Sequence, residues 1–417
     1  MKIINYTELD ENFYAYAETE ELEVVKEILQ DVKKNGDKAV LKYTEKFDKQ
    51  KLKNLELSKE QIKAAYERVD KKTLFLLKKA AENIRFFAEK QLEQFKNFET
   101  EKNSMILGQK VIPLRRVGCY VPGGRYPLPS SALMSVIPAK VAGVKEVIVC
   151  SPKITPVTIV AADIAGADRI FCIGGIQAIG AMAYGTESVP QVDKIVGPGN
   201  KYVTAAKKEV YGIVGIDFIA GPSEVLIIAD ETGNPEFIAA DLLAQAEHDP
   251  NARADLITTS KELAKNVNEQ IKIQLAKLKT KEVAELALKN GRIVIADNLD
   301  VAVSTANRRA PEHLEIQMKN PEEIIEKLCN YGSLFIGENT AEVFGDYCSG
   351  TNHVLPTNGA ARYTGGLSVK DFVKIVTFQR FKGKIPKEMI QVASGLAEIE
   401  GLDAHRNAVD IRLRNAR

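Results

Sequence analysis

The spacing of apolar positions changes along the chain and separates a helical beginning from a longer mixed region. The segment ELEVVKEILQDVKKNG places apolar residues at helical intervals and ends at Gly36, and SKEQIKAAYERV begins with the helix-capping residue Ser58. From Val111 onward, short β-rich runs alternate with helical runs: KEVIVC, PVTIVAADIAGA, RIFCIGG, IQAIGAMAYG, DKIVG and NKYVTAAKKEVYG. This alternation is typical of a parallel sheet in an α/β layer.

A second α/β series follows the first. Its predicted strands are EVLIIAD, ADLITTS, RIVIAD and SLFIG, with helical segments between them. Beyond Gly366 the segment SVKDFVKIVTFQRF is extended, and two amphipathic helical segments broken at Gly401 complete the chain. Since this tail is too short for a core of its own, we expect it to pack on another surface.

These patterns predict an α/β fold with two incomplete Rossmann-like parallel-sheet domains, a helical N-terminal region and a small extended and helical C-terminal tail. We expect four regions: a helical region at 1–110 packing mainly with the second α/β domain, the first α/β domain at 111–221, the second at 222–366, and the tail at 367–417.

Composition narrows the functional classes. A chain of 417 residues with 45% hydrophobic and 27% charged content is typical of a soluble globular protein with two or more domains. Its net charge of +1 provides no basic field for nucleic acid. The start MKIINYTELDENF lacks the features of a secretory signal, and no apolar run is long enough for a bilayer, so we expect a cytoplasmic protein without a membrane partner. The five cysteines contain no C-x-x-C pair and are interpreted as reduced.

The candidate chemistry centres on four histidines, each in a polar context: His248, His313, His353 and His405. In DLLAQAEHDP, Gln245 and His248 are three positions apart at a helix end, so both side chains leave the same face and can bind one ion. In PEHLEI, Glu312 and His313 offer a carboxylate and an imidazole that can relay protons. The alternative for Gln245 and His248 is an ordinary solvated helix end, and the alternative for Glu312 and His313 is a loop before a strand.

Two further segments add ligand candidates. GDYCSGTNHVLPT is rich in turn-forming residues and carries Asp346 and His353, which suggests a functional loop. The tail segment EGLDAHR contributes Glu400 and His405. Two histidines, an aspartate and a glutamine amide form a nitrogen and oxygen set that suits zinc or manganese better than copper(I).

Glycine-rich stretches adjoin several predicted strands: YVPGGRYPLPSS, IGGIQAIGAMAYG, VGPGNKYVTAAK and AGPSEV. Glycines let main-chain amides approach a phosphate, and a helix N-terminus adds its dipole. None of the stretches contains the G-x-G-x-x-G dinucleotide fingerprint. A bound nucleotide and simple tight βα turns therefore both remain open.

Seven motifs, in order along the chain, resemble those of histidinol dehydrogenases: CYVPGGRYPLPSS, IVGPGNKYVTAAKKEV, DFIAGPSEVLIIAD, DLLAQAEHDP, NRRAPEHLEI, FGDYCSGTNHVLPT and GLDAHRNAV. The resemblance runs from about Arg115 to the C-terminus. It implies an NAD-linked enzyme that oxidises L-histidinol through the aldehyde to L-histidine.

The resemblance also implies roles for individual residues. One zinc ion per subunit would hold the substrate, and its implied ligands are Gln245, His248, Asp346 and His405. Glu312 and His313 match the acid/base pair, in which His313 takes the alcohol proton and Glu312 activates water. The remaining matches are substrate contacts and NAD contacts: Ser223, His353 and Glu400 for the substrate, and Tyr120, Gln177 and Asn200 for NAD.

The resemblance further implies a homodimer in which the partner's tail delivers Glu400 and His405 to each active site. Related zinc and NAD dehydrogenases of amino alcohols or sulfonates are an alternative that keeps the same residues. A zinc hydrolase with Glu312 as the base of a metal-bound hydroxide, and a metabolite-binding or scaffolding protein without catalysis, are the alternatives from other classes.

Overall fold

The computed structural model describes residues 1–14, 22–123 and 127–415. Its strands are β1 (Lys2–Asn5), β2 (Phe98–Lys102), β3 (Met105–Pro113), β4 (Arg116–Tyr120), β5 (Glu146–Cys150), β6 (Arg169–Phe171), β7 (Lys194–Val196), β8 (Gly215–Ile216), β9 (Glu224–Ala229), β10 (Arg253–Thr258), β11 (Arg292–Ile295), β12 (His313–Gln317), β13 (Ser333–Ile336) and β14 (Val373–Phe381). The helices are α1 (Glu11–Tyr14), α2 (Glu23–Tyr43), α3 (Lys59–Glu67), α4 (Lys71–Leu92), α5 (Pro129–Val141), α6 (Pro156–Ala165), α7 (Gly175–Tyr184), α8 (Lys201–Val210), α9 (Pro235–Ala246), α10 (Lys261–Leu275), α11 (Lys281–Ala287), α12 (Leu299–Arg309), α13 (Glu322–Ile325), α14 (Glu342–Tyr347), α15 (Lys387–Ile399) and α16 (Asp403–Asn415).

The chain divides into two compact units. The first combines Met1–Leu92 with Leu114–Phe372, and the second combines Glu93–Pro113 with Val373–Arg417. Both predicted α/β series lie in the first unit.

The first sheet contains β4 to β8 in the order β6-β5-β4-β7-β8, and all its neighbouring strands are parallel. The strand EVIVC of β5 is buried except at its first residue, as expected for a parallel strand with helices on both faces. The following helix α6 begins at Pro156, whose fixed φ suits a first turn, and ends before Gly166, which has a φ of 97°. Local sequence therefore sets the bounds of this strand and helix.

The second sheet has the order β1-β11-β10-β9-β12-β13 and is also parallel throughout. All six residues of its central strand β9 are buried. The prediction of two parallel α/β sheets is confirmed. The edge strand β1 was not anticipated from the sequence.

The N-terminal helices pack on the first sheet layer, so the expectation that this region packs mainly with the second α/β domain is wrong for them. Helix α2 contacts α7 and α8, α3 contacts α6, and α4 contacts α5 and α6. The apolar stripe of α2, which includes Val25, Leu29 and Val32, enters the same core as the apolar helix α7. Among the described residues of this region, the short β1 and α1 join the second layer, where they contact β11 and α12.

The second unit is built on an antiparallel sheet of the order β14-β3-β2. The expected extended segment and two helices of the tail are confirmed as β14, α15 and α16. Residues 98–110, assigned to the helical N-terminal region, instead form β2 and most of β3, which extends to Pro113. The reason is non-local, because β3 pairs along its full length with β14, from Met105 opposite Phe381 to Pro113 opposite Val373.

None of the helices in the described residues is long and apolar enough to cross a bilayer. The five cysteines are unpaired, and the three on or next to the first sheet are buried: Cys119, Cys150 and Cys172. The residues Arg125 and Tyr126 of the motif CYVPGGRYPLPSS lie outside the described residues.

Candidate functional site

The predicted acid/base pair lies at the amino edge of the second sheet. His313 is the first residue of β12, and the neighbouring strand β9 begins at Glu224, one position before the residue that pairs with His313. Glu224, Glu312 and His313 retain only 4–5% of their surface exposed. Three ionisable side chains are therefore buried together where these two strands begin.

The main chain of Glu224 supports both members of the pair. Its N–H donates to Oε2 of Glu312 at 2.9 Å, and its carbonyl oxygen lies 3.1 Å from Nδ1 of His313. Because a carbonyl can only accept, Nδ1 carries the hydrogen, and a neutral His313 has its lone pair on Nε2. That Nε2 is buried without a hydrogen-bond partner among the described residues.

The side chain of Glu224 fixes the beginning of β9. It forms a buried ion pair with Arg309 at the end of α12, and its Oε1 accepts from the N–H of Asn358 at 3.0 Å. Neither member of this pair is among the site residues predicted from the sequence. A glutamate that opens an otherwise apolar strand was the available signal.

Two predicted metal ligands, His248 and Asp346, lie together near His313, and a third, Gln245, precedes His248 by one turn. Gln245 is 1% exposed near the end of α9, and His248 follows on the same face, with its Nε2 3.9 Å from Oδ2 of Asp346 on α14. Oδ1 of Asp346 lies 3.7 Å from Nε2 of His313. Nδ1 of His353 lies 2.9 Å from the carbonyl oxygen of Asp346, so this loop residue joins the same cluster.

Burial and neighbouring charges shift the ionisation of these groups. Burial raises the pKa of Glu312 to about 8, although His313 opposes the shift. For His313, burial lowers the pKa, but the acidic neighbours, above all Glu312, outweigh it and hold the pKa well above its usual value. Burial also acts to raise the pKa of Asp346, yet the interaction with His313, whose Nε2 lies 3.7 Å from Oδ1, leaves it lowered. Burial lowers the pKa of His353 and favours its neutral form.

The arrangement supplies groups that can exchange a proton with a substrate next to an ionised carboxylate. The described residues include no group of three or more histidine, cysteine, aspartate or glutamate side chains spaced to hold a metal ion. The first unit contributes His248 and Asp346, and it also carries Gln245, whose amide Nε2 is buried without a hydrogen-bond partner among the described residues. Among the other predicted residues, Ser223 lies next to Glu224, and its main-chain carbonyl oxygen accepts from the N–H of Arg253 at 3.0 Å.

Glu400 and His405 belong to the second unit. Glu400 directly follows α15, and His405 lies in the first turn of α16. Both are exposed to solvent.

The predicted cofactor residues lie at the carboxyl edge of the first sheet. Tyr120 ends β4 and accepts from the N–H of Gly175 at 3.1 Å, Gln177 lies in α7, and Asn200 caps α8 through the N–H groups of Tyr202 and Val203. At this edge a cavity of about 180 Å³ is lined in part by Asp48, Pro122, Gly123, Ser151, Pro152 and Lys153. Ligands of parallel α/β sheets bind at such edges.

A buried acid/base pair on one parallel sheet and a glycine-lined ligand edge on the other are features of an α/β oxidoreductase. The model of the family described as histidinol dehydrogenase matches residues 14–413, and the chain belongs to this family. It is 50% identical over 398 residues to the histidinol dehydrogenase of Methanocaldococcus jannaschii, covering 94% of this chain and 92% of that relative. The predicted family is therefore confirmed.

Two further comparisons agree. The chain is 48% identical over 399 residues to the histidinol dehydrogenase of Clostridium acetobutylicum, covering 94% of this chain and 92% of that protein. The crystal structure of histidinol dehydrogenase from Elizabethkingia anophelis superposes with a TM-score of 0.95 at 39% identity, covering 100% of this chain and 98% of that one. The likeness thus includes the N-terminal helices and the tail.

Proposed function

We propose that this chain oxidises the alcohol of L-histidinol through the aldehyde to the carboxylate of L-histidine, with NAD as hydride acceptor and one zinc ion per subunit. One observation carries the proposal. The side chains of His248 and Asp346 lie together beside the unpartnered Nε2 of His313, and Gln245 precedes His248 by one turn. A nitrogen and oxygen donor set thus lies next to a base.

The residues at this position fit a zinc ion. Zinc binds neutral imidazole and carboxylate, and the buried amide of Gln245 has a polar atom without a partner. Gln245, His248 and Asp346 would hold the ion, and His405 would complete the set. Bound zinc supplies a fixed anchor for the imidazole and amino nitrogens of the substrate.

The acid/base pair performs the proton transfers. Nε2 of His313 takes the hydroxyl proton during the first oxidation, because Nδ1 is held by the carbonyl of Glu224. Glu312 then takes a proton from the water that adds to the aldehyde, while the protonated His313 returns its proton to the carbonyl oxygen to give the hydrate. His313 is neutral again and takes the hydroxyl proton of the hydrate in the second oxidation. Three residues would hold NAD, the hydride acceptor: Tyr120, Gln177 and Asn200. Three others would contact the substrate: Ser223, His353 and Glu400.

We also propose a homodimer in which each tail completes the partner's site. Three large apolar residues of α15 are 53–82% exposed: Val392, Leu396 and Ile399. An amphipathic helix with such a face needs a second surface to cover it. A second copy of the chain would cover it and receive Glu400 and His405.

The test is NADH formation from L-histidinol by purified protein. We expect two NADH per histidinol consumed, loss of activity after treatment with a zinc chelator, and recovery on adding zinc. L-Leucinol, an amino alcohol without an imidazole, is the matched substrate control and should react poorly. Zinc-loaded protein that forms no NADH with histidinol would overturn the proposal, and equal turnover of leucinol would overturn the substrate assignment.

A further inference from the structure

A buried polar layer lies beneath the candidate site in the second sheet. On β12, the residues His313, Glu315 and Gln317 point to the same face, because alternate residues of a strand share a face. Glu315 and Gln317 are each 1% exposed. The strand thus carries two more polar side chains directly behind the proposed base.

Each of the two helices that carry the proposed metal ligands also has a buried acidic residue one turn before its ligand. On α9, Asp241 lies one turn before Gln245, and on α14, Glu342 lies one turn before Asp346. Residues one turn apart share a helix face. Each of the three elements therefore presents one residue to the site and another to the layer beneath it.

Hydrogen bonds join the layer across the three elements. Nε2 of Gln317 donates to Oδ2 of Asp241 at 2.8 Å and to Oε2 of Glu315 at 3.1 Å. Oε1 of Glu315 accepts from the N–H of Glu342, the first residue of α14, at 3.0 Å. The network consequently ties α9, β12 and the beginning of α14 to one another.

A proton is part of this network. Oδ2 of Asp241 and Oε2 of Glu315 accept from the same Nε2 of Gln317, and a proton shared between the two carboxyl groups removes the repulsion that two ionised carboxylates would have. Burial raises the pKa of Asp241 to about 6 and that of Glu315 to about 8, which favours the protonated form of one of them. An amide at position 241 can replace the shared proton, because its NH₂ group donates and its oxygen still accepts from Gln317.

We propose that Asp241, Glu315 and Gln317 are positioning residues that fix α9 and α14 at the separation which zinc binding requires. The inference rests on the zinc site of the proposed function. Buried hydrogen bonds between elements restrict their relative movement, and removing a partner behind metal ligands typically lowers metal affinity about 10–100-fold.

The test measures zinc affinity of the full-length protein by competition with a chromophoric chelator, together with the visible spectrum of the cobalt(II)-loaded form. Gln317→Leu and Asp241→Ala should each weaken zinc binding about 10–100-fold and shift the cobalt bands. Asp241→Asn should retain the parental affinity and spectrum, because it preserves both hydrogen bonds. The cobalt bands report the geometry of the metal ligands, so a variant that only loses stability would leave them unchanged.

Asp255→Asn is the matched structural control. Asp255 is 2% exposed on β10, two strands from β12 in the same sheet, and accepts from Arg253 at 2.6 Å and from the N–H of Arg292 at 2.8 Å. Its substitution should lower stability yet leave zinc affinity within about twofold, since it lies outside the network.

The outcomes separate the two proposals. Zinc affinity equal to the parent in folded Gln317→Leu and Asp241→Ala overturns the positioning role and leaves the proposed function standing. An equal loss in Asp255→Asn also overturns it. Failure of the parent protein itself to bind zinc overturns the proposed function as well. If Gln317→Leu does not fold, the pair Asp241→Ala and Asp241→Asn decides.

Discussion

Glu224 holds the acid/base pair with its main chain, while its side chain is occupied by Arg309. The two functions are coupled, because the ion pair fixes the residue whose N–H and carbonyl orient Glu312 and His313. Burial raises the pKa of Glu224, and Arg309 opposes that shift. The carboxylate therefore depends on this guanidinium for its charge.

We predict that Arg309→Met lowers the free energy of unfolding by about 3–5 kcal/mol, because it leaves a buried carboxylate without its partner. The neighbouring Arg308→Met is the control. Arg308 pairs with Glu11 at 2.6 Å in an exposed position and stacks on Tyr14, so its loss should cost about 1 kcal/mol. Urea unfolding of both variants checks the prediction, and equal losses would contradict it.

Glu312→Gln should separate the two oxidations. The amide oxygen can still accept from the N–H of Glu224, so the first oxidation should stay largely intact, whereas loss of the base should slow the second about 10²–10⁴-fold. Since Glu312 acts as a base only when deprotonated, the second oxidation of the parent should accelerate as pH rises through about 8, the raised pKa of this carboxyl.

Single-turnover measurements of NADH formation over a range of pH resolve the two steps. The variant should lose the acceleration of the second step near pH 8. Equal slowing of both oxidations in Glu312→Gln would show that the assigned role of Glu312 is wrong.

At the scale of elements, local patterns predicted many strands and helices of both α/β layers, such as β5, β9 and α9, but missed others, such as β4 and α12, and did not predict which elements pair. The strand β1 joins β11 and β3 joins β14 across most of the chain, and no local signal encodes such pairings. The amphipathic stripe of α2 likewise showed that the helix must be covered, without showing that α7 covers it.

Local sequence patterns also left parts of the candidate site unpredicted. Family resemblance supplied the predicted ligands, the base and the cofactor contacts, whereas Glu224, Arg309 and the layer behind β12 were missed. The available signal was the alternation in β12, where Glu315 and Gln317 interrupt a strand that is otherwise apolar after His313. Polar residues at such positions of a doubly covered strand mark a buried network.

The turn between β7 and α8 provides a test at this scale. Gly197 has a φ of 114°, and a Cβ atom there would lie 2.1 Å from the carbonyl oxygen of Tyr120. The N–H and carbonyl of Gly197 are held by Asp217 and Lys207 at 2.8 and 3.0 Å. Gly197→Ala must therefore displace the turn that ends at the proposed NAD contact Asn200.

We predict that Gly197→Ala raises the KM for NAD about 10–100-fold and leaves zinc content unchanged. Gly212→Ala is the control, because Gly212 has a φ of 97° but no atom within 4 Å of the added Cβ. It should cost about 1 kcal/mol of stability without changing the KM. Steady-state kinetics checks both, and an unchanged KM in Gly197→Ala would remove this turn from the NAD site.

At the scale of the whole molecule, the proposed site needs more than one compact unit. The first unit provides Gln245, His248 and Asp346, and the second carries Glu400 and His405 on exposed surface. We predict that these two residues act on the partner subunit. The test mixes Gln245→Ala and His405→Ala proteins, each inactive alone, under conditions that allow subunit exchange.

If His405 acts across the interface, each heterodimer contains one site that lacks both ligands and one site that retains every ligand. Random exchange in a two-fold dimer should then restore activity to about a quarter of all sites. If His405 acts within its own chain, both sites of every heterodimer lack one ligand, and no activity should return. A mixture that exchanges subunits, as shown by mass spectrometry of the intact dimers, and still stays inactive would refute the shared site while leaving the zinc ligands of the first unit in place.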